Sequence, residues 1–103
     1  MKAIIEGKRY DTATAEKVAE FSNGLGYSDF DHLEETLYRT KRGNWFIHGG
    51  GGPKTKYAKK SGQWTSGSQQ IVPLDEYEAR TWLEQHGFAD EIEKFFSDDI
   101  EDA

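Results

Sequence analysis

The chain has no cysteine. That excludes a disulfide framework, thiol catalysis and cysteine-ligated metal, and it suits a reducing cytoplasm. No apolar run approaches the ~20 residues of a membrane-spanning helix. The opening MKAIIEGKRY has no long apolar segment and does not read as a signal peptide. The expectation is therefore a soluble, cytoplasmic protein. Hydrophobic residues are also scarce: they make up 35% of 103, below the usual share for a globular domain. A chain this short is one domain with a modest core. Its aromatic share of 14% compensates, because each ring buries a large area. The core should be built on Trp, Phe and Tyr.

Charge is unevenly placed. Nineteen acids face thirteen bases, a formal net charge of −6. From Asp90 to Asp102 there are seven acids and one base, Lys94. From Arg39 to Lys60 there are seven bases and no acid. Such a field steers association with charged partners.

The strongest local signal is ETLYRTKRGNWFIHGGGG, residues 35–52. Thr36–Thr40 and Asn44–His48 are rich in β-branched and aromatic residues, and Lys41-Arg42-Gly43 between them reads as a hairpin turn. Alternation puts Leu37 and Arg39 on one face and Thr36, Tyr38 and Thr40 on the other. Trp45 and Ile47 share a face, as do Phe46 and His48. Ala3-Ile4-Ile5, Glu6-Gly7 and Lys8-Arg9-Tyr10 read as a smaller hairpin. Asp11 or Thr12 then caps a helix in which Ala15, Val18 and Ala19 follow helical spacing, with Asn23-Gly24 as its stop. Residues 24–31 are a loop whose Tyr27 and Phe30 should fold back on the core. Residues 49–67 form a long glycine- and lysine-rich connection; such loops are often functional. Ser68–Val72 reads as a last strand pairing with the central hairpin. Asp75 and Glu78 form a capping box, with Leu74 as a staple against Ala79 and Gly87 as the stop. A second short helix spans about Ala89–Ser97. The resulting expectation is an α+β fold. It has a small antiparallel sheet of about five strands, order β-β-α-β-β-β-α-α, with helices on one face. Residues 1–97 form the domain and 98–103 an acidic, frayed tail.

No catalytic constellation stands out. Gly49–Gly52 are followed by Pro53 and lysines and not by a helix, so a flexible or tight connection is favoured over a phosphate cradle. His32, His48 and His86 have no metal-ligand spacing. Asp29, Asp31 and His32 read as a solvated loop, and His86 as a helix-end dipole partner. No catalytic residue, metal or cofactor is assigned. An enzyme would need an undetected site near His48 and the glycines. Three binding patterns remain. Asp90, Glu91, Glu93, Asp98 and Asp99 could imitate a row of phosphates and enter a basic groove on another protein. Tyr38, Trp45 and Trp64 are residue types that anchor interfaces, if exposed. Lys54, Lys56, Tyr57, Lys59 and Lys60, with Trp64, match the cation-plus-ring recipe for nucleic acid. The net acidity counts against that last pattern.

ETLYRTKRGNWFIHGGGGP and IVPLDEYEARTWLEQHG, with the opening MKAIIEGKRYDTATAEKVAE, resemble small uncharacterised proteins of phages and mobile elements in Gram-positive bacteria. The resemblance spans most of the chain and carries no catalytic residues over. It implies an accessory protein acting on host machinery. Anti-CRISPR inhibitors are similar in size and charge. The functional expectation is a non-enzymatic inhibitor or modulator. Its acidic and aromatic surfaces would engage a host protein that handles nucleic acid, a CRISPR effector among the candidates. A nucleic-acid-binding module using loop 54–64 is the alternative.

Overall fold

The computed structural model describes residues 1–103. Strands β1 (Lys2–Ile5) and β2 (Lys8–Asp11) form the N-terminal hairpin, turned by Glu6 and Gly7, both at positive φ. Strands β3 (Glu16–Ser22), β4 (Leu33–Arg39), β5 (Trp45–Gly51) and β8 (Ser68–Leu74) make the main antiparallel sheet, in the order β3-β4-β5-β8. Strands β6 (Lys59–Ser61) and β7 (Trp64–Ser66) form a third, separate hairpin. Helices α1 (Glu76–Gln85) and α2 (Ala89–Phe96) follow. The class is α+β, with a sheet that carries helices on one face.

The central hairpin forms where expected, and in it Leu37 faces Ile47 and Tyr38 faces Phe46. Gly43 takes φ +85 in its turn, which an L side chain rarely adopts. Alternation sorts the side chains into two cores. Leu37, Trp45 and Ile47 meet Ala79, Trp82, Leu83 and Phe96 beneath the helices. Phe46 and Ile71 meet Tyr10 of the N-terminal hairpin on the opposite face. Both faces are covered, not one. Pro73 lies in β8, an edge strand, where a missing N–H can be tolerated.

Helix α1 starts as its sequence predicts. Glu78 N–H donates to Asp75 Oδ1 at 2.7 Å, and Asp75 N–H donates to Glu78 Oε1 at 3.0 Å. Gly87 ends it at φ +76. Helix α2 lays Phe95 and Phe96 on Trp45, with Arg39 over the Trp45 and Phe95 rings.

The helix expected after Asp11 is strand β3 instead. The Asp11 carboxylate does accept a backbone bond, from Ala13 N–H at 2.9 Å, but in a turn. A bulge between Lys17 and Ala19 lets adjacent Val18 and Ala19 both reach the core, which imitates helical spacing. Ala15 belongs to the other core altogether. The 49–67 segment is no continuous loop either. Gly49–Gly51 extend β5, paired to β4 and β8, and residues 59–66 form the β6–β7 hairpin.

Candidate functional site

Glu35 sits on β4 on the same face as Leu37, so alternation carries a carboxylate into the helix-covered core. Its side chain is 3% exposed. A buried charge needs partners. Trp82 Nε1 on α1 donates to Oε1 at 3.0 Å. The Tyr57 hydroxyl donates to Oε2 in a short bond. Lys56 Nζ lies 2.7 Å from the same oxygen. Burial alone would raise the Glu35 carboxyl; the bonds from Lys56, Tyr57 and Trp82 outweigh it and hold the group below its ordinary value. Burial and the bond to Glu35 together raise Tyr57, keeping its phenol protonated.

The glycine run makes this arrangement possible. Gly49 lies directly across from Glu35 in the β4–β5 register. A Cβ there would overlap the Tyr57 ring and hydroxyl. Having none, Gly49 leaves room for Tyr57 to lie over the sheet and reach the carboxylate. Thr55 occupies the equivalent space over Gly51. The run is neither a phosphate cradle nor a flexible connection. It is strand backbone cleared for the close approach of residues 55–57.

A cleft of about 350 Å³ opens between α1 and β8 beside this carboxylate. Ile47, Val72, Leu74 and Tyr77 supply apolar wall. Glu35, Lys56, Tyr57 and Trp82 line it as well. Apolar walls with a few converging polar groups are what small-ligand clefts have in common. Nothing in the sequence pattern marked Glu35 or Trp82 as functional. The available signal was a glutamate in phase with Leu37 on a core-facing strand.

The charged groups lie in two places. From Asp75 to Asp102, the helical layer holds eleven acids against Arg80 and Lys94. All eleven acids are exposed except the half-exposed Glu91. Residues 1–74 hold eleven bases and eight acids. Asp90, Glu91, Glu93, Asp98 and Asp99 stand on α2 and the single 3-10 turn after it, packed at the Trp45 end of the sheet. Asp99 is 3.7 Å from Arg80, and Lys94 is 3.8 Å from Glu16. The Lys59–Ser66 hairpin leaves from the opposite end, where Gly51 pairs with Ser68. Lys59 and Lys60 are thus remote from the acids, whereas Arg39 lies over Trp45 and Phe95 and shares a cavity with Glu76, Asp98 and Asp99.

The expected aromatic surface does not assemble. Trp45 is buried beneath α2, because its alternation phase is that of Ile47. Tyr38 is half-buried and stacks on Phe46, on the opposite face. Trp64 alone of the three is free, at 81% exposure, and it lies on the lysine hairpin away from the acids. Tyr57 is buried and Lys56 is paired with Glu35, so neither is free for nucleic acid. Lys54, Lys59, Lys60 and Trp64 remain exposed. Tyr27 and Phe30 do not return to the core; they are 77% and 61% exposed. Their loop is held by its backbone, through Asn23 bonds to Asp31, Leu25 and Leu33.

The histidines differ from expectation too. His86 stacks on Phe21 at 4.0 Å and meets Trp82 edge-on. Burial lowers its pKa, so it favours the neutral form over dipole pairing. His32 is buried, and its Nε2 has no hydrogen-bond partner. No group of three or more metal-ligating side chains is gathered. No helix is long and apolar enough to cross a membrane. No family model matches this chain, and neither curated proteins nor solved structures yield a match.

Proposed function

We propose that the chain is a non-enzymatic, cytoplasmic binding protein whose acidic helical layer docks into a basic, nucleic-acid-binding groove of a host protein, and so inhibits or modulates it. The observation that carries this reading is the sorting of charge by layer: eleven acids against two bases over residues 75–102. Carboxylates held on a rigid helix–turn surface can replace phosphates against lysines and arginines. Asp90, Glu91, Glu93, Asp98 and Asp99 are the residues that would make those contacts. The buried carboxylate, Glu35, is bonded to three donors, which suits a structural or binding role better than proton transfer. The proposal includes a host target, with CRISPR effectors as candidates.

The test uses immobilised full-length protein and host extract. Nucleic-acid-binding proteins should be retained and released by competing DNA or by salt. The D90N/E91Q/E93Q/D98N/D99N variant should retain much less. Retention unchanged by that variant contradicts the reading.

A second reading has its own observation. Trp64 stands exposed on a hairpin with Lys59 and Lys60, a ring among cations at the sheet's other end. That surface fits single-stranded nucleic acid, by base stacking and phosphate contact. A mobility shift at low salt that is lost on Trp64→Ala would support it. No shift at low salt excludes it, because such binding is strongest there.

A further inference from the structure

We propose that the cleft between α1 and β8 is a recognition site for a primary ammonium or guanidinium group, and that Lys56 is a built-in occupant which an incoming cation replaces on Glu35. The partners of Glu35 fall into two kinds. Trp82 and Tyr57 are buried. Lys56 comes in from the 52–57 segment, and its side chain is 61% exposed. The first two shape the site; the third, its ammonium already largely in water, can leave when another cation takes its place on Glu35.

The chemistry of the walls selects the ligand. The cleft-lining charges are Glu35, Glu78 and Lys56, a net of one negative charge. Glu78 is already engaged in the α1 cap. With Lys56 displaced, a buried carboxylate is left that only a cation neutralises. Lys56 Nζ lies 5.6 Å from the centre of the Tyr57 ring, so the position also has an aromatic face for a cation. An incoming side chain adds something Lys56 does not supply. Its methylenes can bury against Ile47, Val72 and Leu74 along the outer wall of the cleft. An anion would instead meet two carboxylates and one cation already paired. The occupant that fits is the lysine or arginine side chain of a basic partner; in naming that partner the inference rests on the docking reading above. The site's chemistry does not depend on it.

The experiment titrates n-butylammonium, and separately a blocked lysine-containing peptide, into the 15N-labelled full chain. The indole N–H resonance of Trp82 is followed at constant ionic strength. Lys56→Ala should bind both probes about tenfold more tightly than the natural chain, if Lys56 fills the position nine-tenths of the time. Adding Glu35→Gln should abolish the response. A peptide that binds more tightly than the amine assigns the site to a protein partner. Equal affinity assigns it to small amines. Identical weak binding by the natural chain and Lys56→Ala, or a shift that never saturates, overturns the proposal. If the Glu35→Gln double variant does not fold, Tyr77→Ala at the exposed mouth takes its place. It should weaken binding to Lys56→Ala, and unchanged affinity removes the cleft as the site. Neutralising the five α2-end acids should leave amine binding intact, so loss of docking and loss of cleft binding are read separately.

Discussion

Gly49 and Glu35 face each other across β4 and β5, and Tyr57 fills the space between them. A methyl at position 49 must push Tyr57 off the carboxylate. Gly49→Ala should therefore cost about 1–3 kcal/mol, the usual range for overpacking. Urea denaturation measures it. In a Tyr57→Ala background the same change should cost much less, and a double-mutant cycle reads the difference. Equal costs in both backgrounds would mean that Gly49 serves something other than Tyr57. Glu35 also sets a pH dependence. Its folded pKa lies below its ordinary 4.5, so its contribution is present above that value and is lost as pH falls through the folded value. His86, also lowered, acts in the same direction from its ordinary 6.5 downward. Stability measured against pH should fall on the acid side, and Glu35→Gln should flatten the part of that fall below 4.5. Tyr57, raised in the fold, gives the opposite slope: its contribution is lost as pH rises past its ordinary 10.0.

Elements whose signals are local were legible in the sequence. The central hairpin has alternating side chains and a glycine where positive φ is needed. Helix α1 has a reciprocal cap two bonds strong. Asp75→Ala should cost about 1 kcal/mol by removing that cap, again read by denaturant titration. Strand β3 was not legible, because a bulge put Val18 and Ala19 on the core side together and produced a false helical spacing. The β5 extension was hidden for a related reason. Glycine has weak strand propensity, and what fixes Gly49–Gly51 in the sheet is tertiary: pairing on both sides and the approach of Tyr57 and Thr55. The Glu35 site joins residues from β4, the 52–57 segment and α1. No spacing rule links positions 35, 56, 57 and 82. The β6–β7 hairpin has no buried residue, so its side chains are free of folding constraints. Trp64→Ala should change stability by less than about 0.5 kcal/mol, whatever it does to binding.

At the scale of the molecule, the fold turns a charge pattern along the chain into one in space. The extents are 49 × 34 × 19 Å, so the chain is flat, with helices against one face of the main sheet. The acids concentrate in the helical layer and the basic hairpin projects from the far end of the sheet. Ions at about 0.1 M screen exposed charges beyond roughly 10 Å, so each field acts on what it touches. In the proposed reading a partner's basic groove would meet the acidic helices; the Glu35 cleft opens along the edge of that same layer. The most direct test of the account is the salt dependence of binding to a host nucleic-acid-binding protein retained by the natural chain. It is measured for that chain and for D90N/E91Q/E93Q/D98N/D99N. The account predicts steep weakening with rising salt for the natural chain, and weak binding with a shallow salt slope for the neutralised one. Equal affinity for both, indifferent to salt, would contradict it.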